Sequence, residues 1–318
     1  MSITAKIGPL NPVSYAHVTP DMPLPLQQHW AYGLAISSYG ATVYQKTLFE
    51  NETPVGHALI SSRKMFRFAD LSVCMRGPLW YQPTNSDDPR WVDGFKALKA
   101  GHSKLRWDFF ALQPDLPNIP LSRQMMKAAK TRRVMTGFST VWLDIRPDAE
   151  TLRAGLHGKW RNQLKKAEAS DSTISLGGKR EHQYLWLLEK EAMQRSNRRY
   201  QATPLGMTPK YISAYKQFRP KDAPPVLTVT AHKGKERIAA ALFLLHGNSA
   251  TYYIGWAGDE ARALNIHNRV LWEAITALKE RGIGFLDLGG LNTADLAGIA
   301  RFKLGMGAEP VTFVGTYV

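Results

Sequence analysis

Ala250-Thr-Tyr-Tyr-Ile-Gly-Trp256, the periodic stretch Asn268–Arg281, Gly282 and then Phe285-Leu-Asp-Leu288 follow one another in this order, and their reading decides the fold. The first is rich in β-branched and aromatic residues and predicts a strand. The second carries apolar residues at helical spacing and predicts a helix stopped at Gly282. The third predicts a strand running into Gly289-Gly290. Two further strands precede them, Val226–His232 and Arg237–His246, with Lys233-Gly-Lys235 and Gly247-Asn-Ser249 as the intervening turns. The unit is therefore a three-strand meander, a helix and a returning strand.

The same order is legible upstream. Strands are predicted over Thr42–Phe49, Pro54–Ser61 and Phe68–Met75, a helix over Trp91–Ala100 ended by Gly101, and a strand over Leu105–Ala111. The wording also echoes. Ala97-Leu-Lys99 leads to Trp107-Asp-Phe109, and Ala277-Leu-Lys279 leads to Leu286-Asp-Leu288. A supersecondary unit written twice predicts an internal duplication. The expectation is an α/β protein of the α+β kind, with mixed sheets, in two tandem domains over residues 1–146 and 147–318. The first 25 residues, with Pro9, Pro12, Pro20, Pro23 and Pro25, read as an extended lead-in, and a helix is predicted around Gln27–Ser37.

Between the two units, Pro147-Asp148 opens what reads as one long helix with Asp148 as its N-cap. Leu152, Leu156, Trp160 and Leu164 recur every fourth residue as its buried stripe. Arg153, His157, Arg161 and Lys165 fall on a neighbouring row at the same spacing, and Lys166 adds to the positive face. Residues 123–199 hold 17 Lys and Arg against 8 Asp and Glu, so most of the net charge of +15 is concentrated in a quarter of the chain. This asymmetry predicts a surface for a polyanion, with Arg153, Arg161, Lys165 and Lys166 as its phosphate contacts.

Several chemistries are excluded. The single cysteine, Cys74, forms no internal disulfide and sits in an apolar strand, which makes it a core residue. No two histidines stand three or four apart, so a helical two-histidine metal site is absent and no metal is expected. There is no nucleophile elbow, phosphate-binding loop or dinucleotide-binding glycine pattern. No run of 18 apolar residues occurs, and the start shows no basic-then-apolar export pattern. The expectation is a monomer of the reducing cytosol without integral membrane association.

Five segments then carry a resemblance: Arg76-Gly-Pro78, Lys159-Trp-Arg-Asn-Gln-Leu-Lys-Lys-Ala167, Tyr252-Tyr-Ile-Gly-Trp256, Asp287-Leu-Gly-Gly290 and Phe302-Lys-Leu-Gly-Met-Gly307. In order and spacing they resemble the motifs of the FemAB family of aminoacyltransferases, which share a tandem GNAT-like fold. The resemblance implies attack by an amine on the ester carbonyl of an aminoacyl-tRNA, forming an amide without a covalent enzyme intermediate and without a cofactor. It places Lys303 at the family's catalytic lysine, near that carbonyl, and Phe302 beside the acceptor end of the tRNA. Asp287 either orients the amine, acts as base, or caps the turn at Gly289 and Gly290. Tyr252 and Tyr253 point to opposite faces of one strand, and Tyr253 is taken as the substrate-facing one. Arg76 either holds a phosphate of the acceptor or braces its own turn. The implied acceptor is an amine on a nucleotide- or lipid-linked muropeptide, or a small molecule. Acyl-CoA is the alternative donor. The stretch Arg262-Ala-Leu-Asn-Ile-His-Asn268, where GNAT enzymes cradle pyrophosphate, has no glycine to bring backbone amides close. The helical arm of some Fem proteins is missing, and Met306 replaces a usual aromatic.

Overall fold

The first repeat forms β2 (Thr42–Glu50), β3 (Thr53–Met65) and β4 (Ala69–Met75), each antiparallel to the last, then α2 (Arg90–Lys99) and β6 (Asp108–Gln113), which pairs parallel with β4. The second forms β10 (Val226–Lys233), β11 (Glu236–His246), β12 (Ser249–Ala257), α9 (Ile266–Lys279) and β13 (Phe285–Gly290), with β13 parallel to β12. Both meanders stand where alternation and turn residues put them. The computed structural model describes all residues except 1, 66–67, 104, 106, 199–205, 219–223 and 292–296, and no side chains of 195–198.

The chain divides into two units, Met1–Ser139 with Val311–Val318, and Thr140–Pro310. This differs from the expected division at 146/147. β8 (Ser139–Asp144) pairs with β13 inside the second sheet, whereas the C-terminal strand Thr316–Tyr317 pairs with β6 and with β7 (Arg133–Met135) in the first. Strand pairing, which no local pattern encodes, moves both boundaries.

In the first unit, the proline-rich lead-in contains a strand, β1 (Ile3–Gly8), which extends the sheet beyond β2. Its Ile3 is buried while Ile7 stays exposed. Helix α1 (Trp30–Ser37) and helix α3 (Pro120–Ala128) complete the α-helices of this unit among the described residues. Lys46 on β2 is buried and donates to Leu98 O at 2.5 Å and Ala100 O at 3.2 Å. It thereby covers carbonyls at the C-terminal end of α2, where a cation is favoured by the helix dipole.

The second unit centres on β11, whose Ile238–Leu245 are buried without a break, as in a strand covered on both faces. Helix α9 lays Ile266, Val270, Leu271, Ala274, Ile275 and Leu278 into this core. The predicted long helix is two: α4 (Ala149–Gly155), capped by Asp148 through Thr151 N, and α5 (Gly158–Glu168). Leu156 and His157 between them are extended, and the His157 N–H donates to Gly305 O at 3.0 Å. The apolar stripe still holds, with Leu156, Trp160 and Leu164 all buried. Each such side chain contributes about 1.5–3 kcal/mol of apolar burial. The second unit also holds α6 (Leu185–Arg198), α7 (Met207–Lys216) and the edge strand β9 (Thr173–Gly177).

Two buried histidines make the fold acid-sensitive. His57 on β3 is fully buried with the Tyr15 ring edge-on at 4.5 Å, and neither ring nitrogen has a hydrogen-bond partner. Burial pushes it down to about 3, and it pushes His267 on α9 down to about 4. In the unfolded chain both titrate near 6.5, so stability is lost as pH falls below that value, because only the unfolded chain takes up the protons. Each histidine then costs about 2 kcal/mol between pH 7 and pH 5. Urea midpoints at the two pH values measure the loss, and His57→Phe is expected to remove about half of it.

Candidate active site

Strand β13 ends in the turn that organises the polar cluster. Asp287 is buried and its Oδ1 accepts from Thr140 Oγ1 and from the Gly289 N–H, each at 2.8 Å. The carboxylate therefore caps the glycine turn, which was one of its sequence readings. Gly289 lies at φ 73°, a conformation that favours glycine. Gly290 presents its carbonyl to Lys303, whose Nζ donates to it at 2.9 Å. Lys303 stands on α10 (Ala297–Leu304) and is only 7% exposed. Burial pushes its ammonium down to about 8, and the charge of Asp287 partly opposes that shift. At neutral pH it remains mostly a cation, held in a dry setting where its field is strong.

Phe302, the neighbour of Lys303, opens onto two cavities. The larger, of about 490 Å³, is lined by His157, Trp160, Asn268, Arg301, Phe302 and Gly305 among others. The second, of about 290 Å³, shares Asn268 and Phe302 and adds Tyr252, Trp256 and His267. The Phe302 ring lies 5.9 Å from Trp160 and 5.6 Å from His267. Tyr252 OH and His267 Nε2 are 2.8 Å apart, and burial raises the tyrosine pKa while it lowers that of the histidine, so both stay neutral. Two donors, Asn268 Nδ2 and Trp160 Nε1, are buried and have no hydrogen-bond partner. Both residues line the larger cavity, together with the cationic Lys159 and Arg301. A concavity bordered by the cations Lys159 and Arg301 suits a phosphate.

The motif glycines have a steric reason. A Cβ on Gly255 would fall 1.8 Å from Tyr252 OH, so this glycine leaves the room in which Tyr252 meets His267. A Cβ on Gly305 would fall 2.7 Å from Trp160 Cδ1. Gly307, at φ 86°, would place one 2.2 Å from Gly155 O, at the break between α4 and α5. The closing Gly-Met-Gly thus seats the C-terminal end of α10 against both helices, and Met306 is buried in the core instead of an aromatic.

Other sequence-predicted residues stand elsewhere. Lys303 and Asp287 are brought together, but Lys303 does not line either Phe302 cavity. Tyr252, rather than Tyr253, lines the smaller one; a bulge at Leu242/Phe243 upsets the simple alternation there. Arg76, in the first unit, is 3% exposed at φ 55°, forms a two-pronged ion pair with Asp115 and lies over the Phe313 ring, which makes it a brace of its turn. The basic row is broken with the helix. Arg153 pairs with Glu168 at 2.5 Å and lies over Trp272, Arg161 donates to Ala154 O and Lys166 donates to Ala263 O. Lys165 remains exposed. Asn268, His267 and Arg301 were not legible as site residues, because the cavity joins helix ends far apart in sequence. The absent glycine in Arg262–Asn268 was the one local sign that this helix start is unusual. Asn265 takes the left-handed conformation there, at φ 57°.

A mixed-sheet meander is repeated twice, and in the second repeat a buried lysine stands beside a glycine turn. The chain is FemAB-like: residues 225–318 match the FemAB family. The fold is similar to that of FemX, with a TM-score of 0.79 at 12% identity over 98% of this chain and 96% of that one. It is also similar to a conserved protein of unknown function from Bacteroides thetaiotaomicron, with a TM-score of 0.57 at 10% identity over 98% and 97% of the two chains. A tandem GNAT protein from the clavulanic acid biosynthesis pathway aligns more loosely, at a TM-score of 0.47 and 12% identity over 98% and 97%. No curated protein matches the chain in sequence.

Proposed function

We propose that the protein transfers an aminoacyl group from aminoacyl-tRNA to an amine of a peptidoglycan precursor. The amine nitrogen bonds to the ester carbonyl carbon, the bond from that carbon to the ribose oxygen breaks, and the proton lost by the amine balances the one gained by the leaving hydroxyl. The ester is already activated, so positioning and charge stabilisation carry the rate. One observation supports this reading above the others: a buried ammonium, Lys303, directly follows Phe302, which lines a cavity bordered by the cations Lys159 and Arg301. The ammonium would stabilise the oxyanion, and the cavity would receive the phosphate-bearing end of the carrier.

Thermal shift with charged tRNA, uncharged tRNA and acetyl-CoA, paired with transfer of labelled amino acid to a muropeptide amine, tests the proposal. Stabilisation by tRNA is expected to weaken steeply as salt rises, because each phosphate contact releases counterions. Stabilisation by acetyl-CoA alone would replace the donor in this reading, and tRNA binding without amide formation would remove the activity.

A further inference from the structure

The smaller of the two cavities beside Phe302, of about 290 Å³, is built differently from the larger. Its walls are mainly aromatic and alkyl: Tyr252, Trp256 and Ala257 from β12, His267 from α9, and Ile299 and Phe302 from α10. The Trp256 ring stands perpendicular to that of Trp186 on α6, with centroids 5.9 Å apart. The Tyr252 hydroxyl and His267 Nε2 satisfy each other, and burial keeps the histidine neutral. Gly255 also lines the cavity and adds no side chain to the space. Among the described residues of the lining the only charge is Arg262, and its guanidinium faces Asp259 at 2.8 Å. The lining therefore offers no carboxylate to a cationic group, and an unpaired charge is costly against such a wall.

Two observations relate this cavity to the reacting centre. It shares Asn265, Asn268 and Phe302 with the cavity bordered by Lys159 and Arg301. A Cβ placed on Gly289 would lie 3.7 Å from Lys303 Nζ and 3.8 Å from Tyr252 O, so the ammonium and the strand that carries Tyr252 and Trp256 flank the same glycine. The cations draw the phosphates of the carrier, which leaves the smaller cavity to the amino-acid end of the donor. Resting on the transfer reaction proposed above, we propose that this cavity seats the side chain of the aminoacyl group and selects a bulky, uncharged one, aliphatic or aromatic. Size supports the choice. A cavity of roughly 150 Å³ is enough for a benzene ring, so about 290 Å³ takes a phenylalanyl or leucyl side chain. A methyl group would leave most of the wall without contacts. A lysyl side chain would bring in a charge with no partner.

One tRNA charged in turn with phenylalanine, leucine, alanine and lysine, offered to the whole protein with the same muropeptide amine, tests this, because only the side chain changes. The kcat/KM is expected to be at least about tenfold higher for phenylalanine and leucine than for alanine, as a hydrophobic pocket discriminates between side chains that differ by several carbons, and lowest for lysine. Ala257→Leu narrows the cavity and is expected to lower the phenylalanine-to-alanine ratio by about tenfold. Ile299→Ser, at a position 43% exposed on α10, removes apolar wall and is expected to lower the same ratio by about fivefold. An unchanged thermal midpoint verifies folding, and the exposed Ile299 position keeps the test independent of packing at Ala257. A highest value for alanine or lysine would overturn the proposal, as would a phenylalanine preference that neither folded variant alters. Equal loss of all four residues in the variants would assign the cavity to a part common to every donor, such as the terminal base. No transfer of any residue would remove the reaction on which the selection rests, whereas transfer of all four alike would remove the selection alone.

Discussion

Replacement of Lys303 by methionine is expected to lower the transfer rate about 10²–10³-fold, the usual consequence of removing one preorganised charge from a developing oxyanion. The same change is expected to raise stability at pH 7. The ammonium is nine-tenths buried and is pushed down to about 8 from 10.5, a penalty of about 3 kcal/mol at most while the group is charged in both states. Methionine fills similar space without that cost, although it gives up the hydrogen bond to Gly290 O. The sign of the pH effect follows from the lowered value. Between about 8 and 10.5 the folded protein has released this proton and the unfolded chain has not, so stability rises with pH across that window. Activity that needs the cation falls over the same range. Opposite slopes of midpoint and rate, both flattened in Lys303→Met, separate a catalytic cation from a structural one. A variant with full activity would remove Lys303 from the reaction.

The second large effect is expected at Gly307, outside the polar cluster. Alanine there must adopt φ 86° with its Cβ 2.2 Å from Gly155 O, and the obstacle is backbone rather than the end of a flexible side chain. Strain of the left-handed conformation and displacement of the α4–α5 junction together are expected to cost about 3 kcal/mol or more. For a unit of this size the thermal midpoint would drop by roughly 6–12 °C. Calorimetry measures it. Gly298→Ala, on the preceding helix α10, meets nothing within 4 Å and is the control. A null result at Gly307 would show that the junction relaxes at little cost.

These two positions also show how far local sequence reaches. Lys303 and Gly307 were both visible as parts of one closing motif, yet the motif does not say why either residue is there. The lysine is special because Gly290, thirteen residues earlier, offers its carbonyl in a buried place, and the glycine because Gly155 passes close by. The same limit explains the misplaced features. Helical spacing ran unbroken from Arg153 to Lys165, but the backbone departs at Leu156 and His157 to meet Gly305, and the expected cationic row breaks with it. Alternation put Tyr252 and Tyr253 on opposite faces without saying which one meets the cavity, and the structure gives that place to Tyr252. Arg76 looked available to a phosphate until Asp115, 39 residues on, took its guanidinium.

The order of strands and helices, the duplicated meander and the helix stops at Gly101 and Gly282 were determined by the sequence alone, because periodicity and turn chemistry act within a few residues. The unit boundaries, the Asn268–Trp160 cavity and the depressed lysine were decided only by the tertiary structure. Strand pairing, desolvation and close backbone approach depend on residues far apart in the chain, and no local pattern records them.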